Sequence, residues 1–298
     1  TFDASGNIVH GSAVIEKLDL NMYPSFPYDL IDTSKYHLGL VMTSRGCPYE
    51  CIFCSQRNIS SRRLNYRSTN SVIDELNFLI HKCHQTSIMF VDDFFTANHS
   101  RLTTLCRAIR DNGLHKSACF GAQTRADSLT SEILREMRSS GFNNLSFGME
   151  VASERMMTLI KKGETVAQIV NGVKLAQGEG FITEGVFIYG FPEETFEDRL
   201  RCFSLAQKLK LDRVRFNNLI PYPGTRVFEI AKEQNRLTIH KCWSNFNSAG
   251  AASSGIGSNF VIPYIPDGTT NGALQGSILI SNIMFYLNFK SLSKMINP

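Results

Sequence analysis

Short apolar runs and helical stripes alternate along most of the chain. The runs at 37–43, 87–92, 118–124, 143–149, 182–189 and 213–220 are bounded by polar residues or glycine, which suits buried parallel strands. Between them, Val72, Ile73, Leu76, Leu79, Ile80 and Cys83 keep the i, i+3/i+4 spacing of an amphipathic helix over 71–84. Leu102, Leu105, Cys106 and Ile109 do the same over 100–111. Thr165 with Gln168, and more weakly Thr195 with Asp198, have capping-box spacing ahead of further apolar stripes. The sum is six strand-then-helix units. Right-handed crossovers curl such a series into a barrel or a doubly wound sheet. Six units are too few for a closed eight-stranded barrel. The pattern therefore predicts an α/β fold, an open six-unit (β/α)6 partial TIM barrel, with a doubly wound sheet as the alternative. Either fold places its chemistry at the carboxyl ends of the strands.

The flanks differ from this middle. Residues 1–34 contain Gly6, Gly11, Pro24 and Pro27 with little periodicity and read as an extended lead-in. The barrel is expected over 35–236, and a C-terminal extension over 237–298. Within the extension, 248–258 is rich in small residues and reads as a flexible loop, and 273–296 as one or two helices. The chain opens on Thr1 without a charged-then-apolar leader, and reads as a piece of a longer protein. Its longest apolar stretch, Ile278 to Leu287, is interrupted by Ser281 and Asn282, so no transmembrane segment is expected.

Composition narrows the class. Of 298 residues, 43% are hydrophobic and 19% charged, which excludes a disordered chain. The net charge of +4 is spread out, without a basic block, so no nucleic-acid partner is indicated. There are eight cysteines; Cys83, Cys106, Cys119, Cys202 and Cys242 are scattered among apolar neighbours, as buried small hydrophobes are. A secreted disulfide scaffold is smaller and denser in cysteine, so a cytoplasmic location is expected.

The other three cysteines carry the chemistry. Ser44-Arg45-Gly46-Cys47-Pro48-Tyr49-Glu50-Cys51-Ile52-Phe53-Cys54 follows the first strand directly, where a parallel sheet presents its active loop. These spacings let one loop wrap a small inorganic core, with Gly46 and Pro48 setting the tight path. A structural zinc wants four ligands, usually in two pairs; there is no second pair, and His37 and His81 are out of register. A [4Fe–4S] cluster accepts three protein ligands if something else binds the fourth iron. A non-catalytic metal-binding interaction module stands as the competing reading.

Cys-x3-Cys-x2-Cys with Phe53 before the last cysteine resembles the radical S-adenosylmethionine superfamily over about residues 12–235, and more weakly to 290. The resemblance is closest to its cobalamin-associated branch. Residues 16–32 resemble the linker after a cobalamin-binding domain, and Phe285-Tyr286-Leu287 with Ser291-Leu292 resembles that branch's helical tail. The resemblance implies a cluster on Cys47, Cys51 and Cys54, with the amino and carboxylate groups of S-adenosylmethionine on the open iron. One electron, from a low-potential donor such as flavodoxin or ferredoxin, then breaks the carbon–sulfur bond to give methionine and a 5′-deoxyadenosyl radical. It also implies a small-molecule substrate. Methyl transfer is expected if cobalamin is supplied by a domain absent from this chain, and hydrogen abstraction leading to rearrangement or oxidation without it. A methylthiolating enzyme would need a second cluster and an RNA-binding tail, which the sequence does not show.

The resemblance extends to the other strand ends. Asp93, after the second strand, is placed beside the cosubstrate's amino group. Arg125, after the third, would hold a carboxylate or pair with Asp127. Gly148 would let a ligand approach and Glu150 accept from ribose hydroxyls. Lys161, Lys162 and Gly163 follow at a spacing the family shows, or form a solvated helix end. Gly190, after the fifth strand, would permit backbone contact with the adenine.

Overall fold

Six parallel strands in sequential order make the main sheet of the computed structural model, which describes residues 19–23, 26–60, 62–255 and 259–287. The strands in chain order are β1 (Leu40–Val41), β2 (Ser44–Arg45), β3 (Asn65–Tyr66), β4 (Ser87–Phe90), β5 (Cys119–Thr124), β6 (Phe142–Glu150), β7 (Ile182–Tyr189) and β8 (Arg213–Asn218). The main sheet runs β1-β4-β5-β6-β7-β8, every pair parallel. A doubly wound sheet reverses its strand order at a switch point. No reversal occurs here, so the partial barrel holds and the alternative fails. Residues 1–18 of the expected lead-in, 256–258 of the expected loop and 288–296 of the expected tail lie outside the described residues.

The helices are α1 (Gln56–Ser60), α2 (Thr69–Asn77), α3 (His99–Asp111), α4 (Ser131–Ser139), α5 (Glu154–Leu159), α6 (Val166–Gly178), α7 (Phe196–Lys208), α8 (Arg226–Glu233), α9 (Gly250–Ser253) and α10 (Asn271–Leu287). Both expected capping boxes form, at Thr165 and Thr195. The stripe read over 71–84 becomes α2 followed by a π-helical turn, Phe78–Lys82, which keeps Leu79 and Ile80 buried. Three short helices that the periodicity did not predict, α4, α5 and α8, begin at the hydroxyl caps Thr130, Ser153 and Thr225.

One face of the sheet is dry. Phe90 lies with Phe95, Phe120 and Phe142 at ring separations of 4.9–5.9 Å, and Phe187 stacks on Phe216 at 5.1 Å. Such pairs contribute about 0.5–1.5 kcal/mol each beyond their buried area. On β7, Thr183, Gly185, Phe187 and Tyr189 are buried, whereas Glu184, Val186 and Ile188 are only half-buried. The second face is therefore partly open, which the near-continuous apolar reading of these strands did not anticipate.

The C-terminal extension closes the β8 edge. The Asn282 amide accepts from the Phe216 N–H (3.1 Å) and donates to the Phe216 carbonyl (2.9 Å). The Tyr286 hydroxyl does the same for Val214, at 2.9 and 2.8 Å. The match is geometric: four residues along a helix rise about 6 Å, and two along a strand about 6.6 Å. An unpaired sheet edge invites association, so α10 ends the sheet. The loop expected at 248–258 is corrected in part, since α9 is helical there. Its small residues serve close packing: a Cβ on Gly250 would lie 2.1 Å from the Phe260 ring. Replacing Asn282 by Ala together with Tyr286 by Phe should strip partners from edge groups worth about 1–3 kcal/mol each when left unsatisfied. Urea denaturation should record that loss. An unchanged midpoint would mean that water satisfies the edge equally well. Among the described residues no helix is long and apolar enough to cross a membrane.

Candidate active site

The cysteine loop is clamped at its base. β2 and β3 pair antiparallel, Ser44 against Tyr66 and Arg45 against Asn65, and so fix both ends of residues 46–64. Gly46 stands at φ +101, and a Cβ there would lie 1.9 Å from the Arg63 carbonyl oxygen, so only glycine fits. Its N–H donates to Asp93 Oδ2 at 2.7 Å. Asp92, just before, is buried and accepts from the Thr43 N–H (3.0 Å), the Thr43 hydroxyl (2.7 Å) and the Ser44 hydroxyl. The acidic pair at the end of β4 thus holds the start of the loop. Further along, the Ile52 N–H donates to the Ile160 carbonyl (3.0 Å) and the Val227 N–H to the Ile52 carbonyl (3.2 Å). The Asn58 side-chain amide reaches the Gly224 carbonyl. The loop therefore joins the first unit of the barrel to the turn after its last strand.

Cys47, Cys51 and Cys54 are all free thiols, half-buried. Burial pushes Cys51 up to about 11, and Cys47 and Cys54 upward as well. The thiolate is the metal ligand, so these groups keep their protons until a cluster's positive charge displaces them. Among the described residues no three His, Cys, Asp or Glu side chains converge on a single ion. A cluster takes each thiolate on a different iron and needs no such convergence. Three free thiols on one pinned loop, at the end of a parallel sheet, fit a [4Fe–4S] group with one iron left open.

Behind the loop lies a buried charge network. The Arg125 guanidinium stacks on the Tyr49 ring, 3.5 Å from its centroid. It donates to both carboxylate oxygens of Asp127 (3.0 and 2.8 Å) and to the carbonyls of Lys162 (2.9 Å) and Gly163 (3.2 Å). Four of its five N–H groups are used in this way. Of the two readings of Arg125, the pairing with Asp127 is present in this structure.

Lys162 corrects the solvated-helix-end reading. Its ammonium is buried and donates to the Gly148 carbonyl (2.6 Å) and to Glu150 Oε1 (3.1 Å), with Glu164 Oε2 at 3.8 Å. Burial alone would lower its pKa, but Glu150 and Glu164 outweigh that and raise it. Burial raises the Glu164 carboxyl against the pull of Lys162 and Arg125. A Cβ on Gly148 would lie 2.5 Å from Glu150 Oε1. That glycine makes room for the Glu150 carboxylate. The Gly190 N–H donates to Glu194 Oε2 at 2.7 Å, and Phe191 meets Phe53 edge-on at 5.4 Å.

The loop meets two of these groups directly: Asp93 binds Gly46, and Arg125 stacks on Tyr49. Glu150 is linked to it only through Lys162, whose carbonyl accepts from Arg125, and the turn at Gly190 only through Phe191 against Phe53. Asp92 and Glu164 were missed. Asp92 was within reach, since Ile88 and Phe90 are buried and a strand's period of two carries that face to residue 92. Glu164 gave no local signal.

A parallel partial barrel with three free cysteines on its first strand-end loop, ringed by charged strand ends, has the architecture of a radical enzyme. The chain belongs to the Radical SAM superfamily, which its residues 41–206 match. That superfamily works with a [4Fe–4S] cluster and S-adenosylmethionine. An uncharacterized methyltransferase of Pyrococcus horikoshii is 37% identical over 229 residues, 75% of this chain and 49% of that protein. The anaerobic magnesium-protoporphyrin IX monomethyl ester cyclase of Cereibacter sphaeroides is 25% identical over 247 residues, 82% of this chain and 38% of that one. Among solved structures, the radical S-adenosylmethionine methyltransferase TsrM of Kitasatospora setae, with cobalamin and a [4Fe-4S] cluster bound, superposes with a TM-score of 0.61 at 18% identity. That alignment covers 80% of this chain and 46% of TsrM, and shows the shared fold. The chain spans half or less of the length of each.

Proposed function

We propose that this chain is the radical core of an enzyme that cleaves S-adenosylmethionine reductively and acts on a small molecule, with methyl transfer as its reaction. The observation that carries the reading is the pinned loop with Cys47, Cys51 and Cys54 free at the strand ends. When bound, the cluster supplies an electron to the sulfonium and an open iron for the amino and carboxylate groups. The protein's own residues hold and shield that chemistry. The β2–β3 ribbon and Asp92 fix the loop, and Tyr49 on Arg125 supports it from behind. Asp93, with one carboxylate oxygen on Gly46, keeps the other for the cosubstrate's ammonium. Glu150, oriented by Lys162, accepts from the ribose hydroxyls, and the turn at Gly190 flanks the adenine beside Phe53.

Methyl transfer is favoured over cyclisation because the 37% identical relative bears a methyltransferase name and the cyclase stands at 25%. Cobalamin, bound in TsrM, would come from a part of the protein outside this chain. In this reading the barrel spans 35–236 and the extension 237–298, with α10 bound to β8 across that boundary. The free cysteines suit a reducing, cytoplasmic setting. Incubation of the anaerobically reconstituted protein with S-adenosylmethionine and dithionite should yield 5′-deoxyadenosine and methionine, read by chromatography. A reconstituted protein that leaves the cosubstrate intact would refute the assignment.

A further inference from the structure

We propose that the outer face of α10, with the edge of α7 beside it, pairs with the same face of a second copy of this chain. The inference goes beyond the function above and does not depend on it. Asn282 and Tyr286 turn one side of α10 to β8. The opposite side carries Ile280, Ile283, Met284 and Leu287, which i, i+3/i+4 spacing sets on one stripe. Phe196 and Leu200 stand beside it on α7. The two helices meet at the Tyr189 hydroxyl, which donates to the Arg199 carbonyl at 3.0 Å and meets the Ser281 hydroxyl at 3.2 Å. Leu200 and Ile280 are the sequence neighbours of those two residues, so the six apolar side chains form one surface. Each is between 42% and 63% exposed. Their exposed parts come to roughly 600 Å², the upper end of a single apolar patch on a monomer. Set against a second copy, they would remove about 1,200 Å² from water, where stable protein interfaces begin.

The stripe itself selects its own copy as the occupant. Asn271–Leu287 contain no Asp, Glu, Lys or Arg. Such a face offers nothing to steer a charged partner, and two copies of it meet without like-charge repulsion. It also tapers. Ala273, Gly276 and Ser277 continue the stripe toward the start of α10 as small residues, whereas Ile283, Met284 and Leu287 end it as large ones. A two-fold axis that runs the helices antiparallel sets each large end against a small one. Gly276 adds a separate observation. A glycine inside a helix costs roughly 0.5–1 kcal/mol relative to alanine. A Cβ at Gly276 would meet nothing within 4 Å among the described residues. The chain's own packing therefore gives this glycine no steric reason, and close approach of a partner helix gives it one.

Sedimentation velocity of the reconstituted protein over a concentration series is the test, with circular dichroism as the check on folding. The parent should sediment as a dimer that dissociates on dilution. Met284→Glu, and separately Leu200→Glu on the other helix, should each weaken the dimer about a hundredfold or more, because each sets like charges against one another in the contact. Both positions are exposed, so the folded spectrum should be kept. Gly276→Leu should raise the helix propensity of α10 and still weaken the dimer, which a glycine of purely internal role would not do. A parent that stays monomeric at every concentration would overturn the proposal, whether or not it co-sediments with phosphatidylcholine vesicles. So would a dimer that persists unchanged in the folded glutamate variants, because the contact would then lie elsewhere.

Discussion

Cys51→Ala protein, reconstituted anaerobically, is expected to hold well under about four irons per chain and to lose cleavage of S-adenosylmethionine by at least about three orders of magnitude, or ~4 kcal/mol of barrier. Under the proposed function, removing this thiol would leave two ligands for a group that takes three from the protein. The fold should survive, because deleting a half-buried sulfur costs only roughly 1 kcal/mol of burial. Circular dichroism and a urea midpoint near that of the parent would establish this. Cys106→Ala is the control. Cys106 is fully buried on α3 beside Leu102 and Ile109, and burial pushes its thiol up to about 12. Its loss should lower stability and leave iron content and cleavage intact. If Cys106→Ala lost the cluster and Cys51→Ala kept it, the metal would lie elsewhere.

Lys162→Met should cost about 3–5 kcal/mol of folding stability, the typical price of breaking a buried ion pair from one side. The methionine fills the volume but leaves the buried carboxylates of Glu150 and Glu164 without their ammonium. Arg125, 3.9 Å from Glu164, is already committed to Asp127 and two carbonyls. Urea denaturation at neutral pH measures the loss. Adding Glu164→Gln in the same chain should recover part of it, because one uncompensated charge is then removed. A cost below about 1 kcal/mol would match an exposed pair instead and would mean that the site is wetter than its burial implies.

The parallel sheet was legible because its signal is local. Strand β7 runs over the same residues, 182–189, that its apolar run marks, and both capping boxes close as their spacing predicts. The cysteine loop was legible for the same reason, with its three cysteines and its glycine within eleven residues of one another. What stayed hidden depends on contacts between distant segments. Lys162 meets Glu150 across twelve residues and Glu164 from the same turn, so charge pattern alone resembles a surface helix end. Asn282 and Tyr286 are unremarkable on a helix until β8 lies beside them, 66 and 72 residues away in sequence. Short helices such as α5 and α8 have too few turns to show a period, and only their caps mark them.

Whether the loop carries an iron–sulfur cube with a vacant corner can be read by low-temperature electron paramagnetic resonance. The reconstituted, dithionite-reduced protein should give the signal of one reduced [4Fe–4S] cluster per chain. Adding S-adenosylmethionine should shift that signal, because the cosubstrate binds the uncommitted iron. A silent protein that holds zinc, or a cluster signal that S-adenosylmethionine leaves untouched, would contradict it.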